Sequence, residues 1–113
     1  REISNILTQC FQIGGRSIWH IVQDGATIGQ LGSENGVIIK DEEYSDSCRI
    51  TLERCPKYYA ITCGIYGAMV HTAFSDKSSY KKMYDDMKRD LQEFIDSNTS
   101  SEEEFYEKFT STY

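Results

Sequence analysis

The stretch from Cys48 to Phe74, which reads CRITLERCPKYYAITCGIYGAMVHTAF, constrains the fold more than any other part of the chain. Its apolar residues Cys48, Ile50 and Leu52 alternate with polar ones, as they do in a β-strand that buries one face. The polar residues between and after them are Arg49, Thr51 and Glu53.

A turn is predicted over residues 55–58, because Pro56 suits the second position of a type I turn. This turn makes a hairpin and brings the apolar residues of both strands to one face, whereas a one-residue slip would turn them to solvent. The predicted pairs are Arg54 with Tyr59, Leu52 with Ile61, Ile50 with Cys63 and Cys48 with Ile65.

A second tight turn near Tyr66-Gly67 is predicted to return residues 68–74 along the preceding strand. That register places Cys63 opposite Val70, so His71 is expected on the other face. The alternative is one long bent strand with bulges at its glycines.

The region before Cys48 favours further strands. Residues 17–22 are short and apolar, and Asp24-Gly25 is a common hairpin turn. Residues 26–31 then fit a returning strand, and Val37 opens another after the turn signal Asn35-Gly36.

Helical spacing of apolar residues predicts a helix over 3–11 and a long amphipathic helix from Tyr80 to about Asp96. Ser101-Glu102-Glu103-Glu104 matches a capping box and predicts a short final helix. The predicted fold is a single α+β domain over residues 1–113. It has an N-terminal helix, an antiparallel β-meander of five to six strands, and the two C-terminal helices packed on one sheet face.

The composition limits the kinds of partner that the protein is expected to bind. With 113 residues, 39% of them hydrophobic, the chain can form one globular core. Its net charge of −6 disfavours nucleic acid and suits a basic protein. No membrane span or signal peptide is recognisable in the sequence.

The four cysteines, Cys10, Cys48, Cys55 and Cys63, lack the spacing of a zinc site. All are expected to be reduced, with no metal or cofactor. Cys63 and His71 are the first candidates for a nucleophile and base. Their predicted faces differ, which favours a core cysteine and an edge histidine, and no catalytic residue is assigned.

Acidic residues and tyrosines suggest a protein-binding surface. Four acids fall between residues 41 and 46 without the pattern of a calcium loop. They predict either a solvated strand end or a patch for basic residues, and exposed tyrosine gives binding area at low entropic cost. Tyr58 and Tyr66 are expected on the face opposite the core. The predicted binding residues are Asp41, Glu42, Glu43, Tyr44, Asp46, Tyr58 and Tyr66.

The segment YYAITCGIYGAMVHTAF, followed by KKMYDDMKRDLQEFI, resembles small uncharacterised bacterial proteins that are similar to immunity proteins encoded beside polymorphic toxins. The resemblance covers residues 37–95. It implies a cytoplasmic domain that binds and blocks a toxin, such as a nuclease.

The leading hypothesis is therefore a non-enzymatic protein-binding domain whose acidic, tyrosine-bearing surface occludes a basic toxin. One alternative is a small-molecule-binding domain or enzyme with a pocket between the sheet and the long helix, using Cys63, His71 and Tyr66. Another is a homo-oligomer that pairs through an exposed strand edge.

Overall fold

A computed structural model describes residues 18–97 and 101–113. The predicted helix over 3–11 and Cys10 lie outside the described residues. The fold is α+β, with one antiparallel sheet of five strands in sequence order and two helices. The elements are β1 (Trp19–Ile21), β2 (Val37–Tyr44), β3 (Cys48–Arg54), β4 (Tyr59–Ile65), β5 (Met69–Ser75), α1 (Tyr80–Ser97) and α2 (Glu102–Thr112).

The register of the β3–β4 hairpin is confirmed at all four predicted pairs. Cys55 N donates to Tyr58 O at 2.9 Å and closes the turn around Pro56. Alternating residues of both strands consequently bury their apolar side chains on one face, including Ile50 and Ile61, which are both fully buried.

The predicted register of β5 is wrong by one residue. Ile65 pairs with Met69, and Cys63 pairs with His71 rather than Val70. The connection has three residues instead of two, because Ala68 N donates to Ile65 O at 2.9 Å across a turn in which Gly67 takes a φ of 77°. A positive φ at that position suits glycine. His71 therefore lies on the same face as Cys63.

The returning strand predicted over 26–31 is not formed. The chain turns earlier, with left-handed φ angles of 47° at Gln23 and 53° at Asp24, and continues through a series of turns. β1 instead pairs with β2, where His20 lies opposite Glu43. Residues 22–36 form a loop, which Thr27 fixes by a 2.7 Å hydrogen bond to Asp41.

One face of the sheet, here called the helix side, carries the hydrophobic core. From α1, Tyr84, Met87 and Leu91 are buried against it. From α2, Phe109 packs edge-on against His71, with ring centroids 6.1 Å apart. The predicted packing of helices on one face is thus seen for both.

The two helices begin near the predicted residues. Asp76 Oδ1 accepts from the backbone N–H of Ser79 at 2.9 Å just before α1. Ser101 caps α2 by accepting from Glu104 N, as the capping box predicts. Neither helix has the length and apolar character needed to span a membrane.

Candidate functional site

The other side of the sheet, here called the open face, carries side chains in transverse rows set by the strand register. In the described part of the chain both helices lie on the opposite side, and only part of the loop over 22–36 crosses this face. One row runs across all five strands and mixes charged, polar and apolar residues. Its members are His20, Glu43, Arg49, Gly64 and Val70.

Small residues form a trough in the middle of the open face. Its floor includes Thr51, Thr62 and Gly64, and the hydroxyls of Thr62 and Thr72 lie 3.0 Å apart. The trough has a volume of about 640 Å³. Gly32 and Ser33 of the loop line one side, and Tyr66 and Val70 line the other.

Asp41 lies at the base of the open face as a fully paired carboxylate. Arg49 donates two hydrogen bonds to it, at 2.8 and 2.6 Å, and Thr27 and Thr51 donate one each. Burial alone would raise the pKa of Asp41, but these hydrogen bonds and the Arg49 charge outweigh burial and lower it. With only 2% of the residue exposed, Asp41 holds the sheet together instead of facing a partner.

Three of the predicted binding residues lie at one end of the sheet, here called the acidic end: Glu43 and Tyr66 on the open face, and Asp46 in the turn between β2 and β3. The Tyr66 hydroxyl donates to Glu43, and His20 Nε2 lies 3.0 Å from the same carboxylate. Tyr66 N donates to Ser47 O at 3.0 Å, which joins its turn to the turn that carries the exposed Asp46.

Electrostatics at the acidic end keep Glu43 charged. Its pKa is lowered by the Tyr66 hydrogen bond and by His20. Burial and the hydrogen bond to Glu43 raise the pKa of Tyr66 to about 12, so the phenol stays neutral. A carboxylate held ionised beside a half-exposed tyrosine ring can bind a lysine or arginine and the apolar surface next to it.

Tyr58 lies at the opposite end of the open face. Its ring packs edge-on against that of Phe74, with the ring centroids 5.5 Å apart, and both side chains are exposed. The prediction that Tyr58 and Tyr66 lie on the face opposite the core is confirmed, but the two residues are at different ends of it.

Glu42 and Tyr44 belong to the helix side. Glu42 accepts from the Tyr84 hydroxyl at 2.7 Å and from Lys88 Nζ at 2.9 Å. Tyr44 is 2% exposed and donates to Asp96 at 2.7 Å. The seven predicted residues therefore do not form one continuous surface, and the acids at 41–43 alternate between the two faces.

Only two of the three residues proposed for an enzymatic alternative are brought together. Cys63 and His71 are cross-strand neighbours on the helix side, whereas Tyr66 lies at the acidic end of the open face. Burial raises the pKa of Cys63 to about 12, which leaves almost no thiolate at neutral pH. His71 Nε2 is buried without a hydrogen-bond partner among the described residues.

A small pocket does lie between the sheet and α1, with a volume of about 290 Å³. Lys40 and Leu52 line it from the sheet, and Tyr80, Tyr84 and Asp85 line it from the helix. Neither Cys63 nor His71 contributes to it. Within residues 18–97 and 101–113, no three His, Cys, Asp or Glu side chains cluster in a way that could hold a metal ion.

The buried thiols should be inert in the folded protein. In a Cys10→Ser background, we expect Cys48, Cys55 and Cys63 to react with a small aromatic disulfide at least about a hundredfold more slowly than in denaturant, because all three are buried and their pKa values are raised. Absorbance of the released thiol measures this. Fast labelling of Cys63 at pH 6 would instead restore the enzymatic alternative.

Several residues of this surface were not predicted as binding residues, although a signal for some was present. Arg49 and Thr51 alternate with core residues, so their position on the open face followed from the pattern. The predicted register put Val70 opposite Cys63 on the core face, and the three-residue turn moves Val70, and with it Phe74, to the open face.

No known protein family, curated protein or solved structure matches the chain.

Proposed function

We propose that this chain is a non-enzymatic protein-binding domain that receives a basic protein partner on the open face of its sheet. The observation that carries the proposal is the acidic end, where the ionised carboxylate of Glu43 accepts a hydrogen bond from Tyr66, an exposed tyrosine that lines a trough about 640 Å³ in volume. By the resemblance to immunity proteins, the partner class we propose is a bacterial toxin domain.

Binding would use different groups for approach and for contact. The net charge of −6 attracts a basic partner over a distance set by the ionic strength. Glu43 and Asp46 would then meet lysine or arginine side chains, while the ring of Tyr66 supplies contact area. The hydroxyl-bearing floor at Thr51 and Thr62 would accept or donate hydrogen bonds along the trough.

The mechanism of neutralisation is occlusion. A nuclease-type toxin holds its phosphate substrate with lysine and arginine side chains. An acidic domain seated over those side chains would both hide them and cancel their charge, so substrate could no longer bind. This mechanism requires no chemistry from the domain itself.

Affinity capture with the full chain as bait tests the proposal. The probe is the product of the adjacent gene, added at low and at high salt. We expect a stoichiometric complex at low salt that weakens strongly at high salt, together with loss of the probe's toxicity on co-expression. A probe that stays toxic and unbound at both salt concentrations would contradict the proposal.

A further inference from the structure

Strand β5, at one edge of the sheet, lacks the features that usually keep edge strands from pairing with other chains. Those features are charged side chains, proline, bulges or a very short strand. β5 spans the seven residues Met69–Ser75, includes no Asp, Glu, Lys, Arg or Pro, and keeps a continuous register with β4. The opposite edge, β1, has three residues. Within the described residues, β5 pairs with β4 alone.

The same strand presents apolar side chains to solvent beside its edge. Val70 is 80% exposed and Phe74 is 55% exposed, and both point to the open face. Thr72 lies between them. Burying this pair against another strand would remove apolar surface from water and satisfy the outward backbone groups of the edge.

We propose that β5 pairs antiparallel with β5 of a second copy of this chain, about a twofold axis at Thr72. In this register Val70 of each copy lies opposite Phe74 of the other, and Thr72 lies opposite Thr72. Pairs of an aromatic with a β-branched residue, and of threonine with threonine, are both favourable cross-strand neighbours. The two sheets become one continuous sheet with both open faces on the same side.

Charge favours this edge for self-association. Two copies with a net charge of −6 repel each other over most of their surfaces, and the repulsion is least where the contact itself carries no charge. Because the strand is complementary to itself, the assembly closes as a twofold dimer. The inference does not rest on the proposed function: Val70 also lines one side of the trough, but Glu43 lies on β2, with β3 and β4 between it and this edge.

Cysteine cross-linking tests the register. In a Cys10→Ser background, the two Thr72→Cys residues would have Cα atoms about 4.5–5.5 Å apart, a distance that a disulfide spans. Two Val70→Cys residues would be offset by four residues, or about 13 Å. We expect Thr72→Cys to oxidise to a covalent dimer at least about tenfold faster. Equal or faster cross-linking of the more exposed Val70→Cys would overturn the register.

A charge swap tests the dimer itself, with mass measured by sedimentation equilibrium on the full chain. We expect the native chain to be dimeric and Val70→Lys to be monomeric. The double variant Val70→Lys/Phe74→Glu should dimerise again, because each new lysine faces a new glutamate. Circular dichroism checks that each variant is folded, and Phe74→Glu alone serves as a second single variant. A native chain that stays monomeric throughout, or a double variant that stays monomeric while folded, would overturn the proposal.

Discussion

Replacing Arg49 with methionine should lower the free energy of unfolding by about 3 kcal/mol, because the change leaves the buried carboxylate of Asp41 without its counter-charge. The Asp41 side chain has no exposed surface, and Arg49 provides two of its hydrogen bonds. The Arg49 side chain is 38% exposed, so the estimate takes the low end of the range for a buried pair. Urea denaturation measures the loss.

The double variant Asp41→Asn/Arg49→Met is the matched control, since it removes the charge and its partner together. We expect it to recover at least half of the lost stability. If the single variant were as stable as the native protein, the ion pair would not hold β2 to β3 as described.

Acid titration provides a second test of the ion pair between Asp41 and Arg49. The folded pKa of Asp41 is lowered, so its contribution is fully present above the unfolded value near 3.8 and is lost as the pH falls through the folded pKa. We therefore expect the native chain to lose stability below about pH 4 more steeply than the double variant does. Parallel acid profiles for the two proteins would contradict this assignment.

Glu53→Ala should also lower the free energy of unfolding by about 3 kcal/mol, because it removes a buried acceptor from two backbone N–H donors. Glu53 is 1% exposed, and its carboxylate accepts from Glu34 N at 3.1 Å and from Gly36 N at 3.0 Å. Gly32 packs so closely that a Cβ there would lie 2.4 Å from the carboxyl carbon of Glu53. The carboxylate therefore fixes the loop that forms one wall of the trough.

Glu53→Gln is the control, because its amide keeps one acceptor oxygen in place and should lose about half as much stability. Hydrogen exchange at Glu34 and Gly36 separates a local effect from a global one. In Glu53→Ala these two amides should exchange at least about tenfold faster than in the native chain. Unchanged exchange at both would show that the loop does not depend on Glu53.

The β3–β4 hairpin could be predicted from sequence because two independent signals agree there. Pro56 marks the turn, and only one register buries Ile50 and Ile61 together. In β5 the alternation was ambiguous, because apolar residues occur at both its odd-numbered and its even-numbered positions. Met69 and Ala73 lie on one face, and Val70 and Phe74 lie on the other. A turn of two residues and a turn of three each bury an apolar set, so alternation could not choose between them.

The position of the acidic residues could be predicted only in part. Alternation alone sends Asp41 and Glu43 to one face and Glu42 to the other, but it does not say which acids find partners. Arg49 and Lys88 reach Asp41 and Glu42 from β3 and α1. These contacts depend on tertiary packing, which is why an acidic run that looks like one patch in the sequence is divided in the fold.

The loop before β2 shows the same dependence on tertiary contacts. Its apolar residues Ile28 and Leu31 suggested a strand, yet both are exposed in the folded chain. The turns at Gln23 and Asp24 and the hydrogen bond from Thr27 to Asp41 favour a loop across the open face instead. The local pattern of apolar residues could not predict these long-range contacts.

The most direct test of the open face as a binding surface is the association rate of the proposed basic partner with a variant whose acidic end is reversed in charge, measured by stopped-flow at low salt. We expect Glu43→Lys/Asp46→Lys to slow association at least about tenfold. The control Glu103→Lys/Glu107→Lys makes the same change in net charge on exposed positions of α2, and it should slow association much less. Equal slowing by both pairs would mean that the total charge, and not the acidic end, directs binding, which would contradict the proposed site.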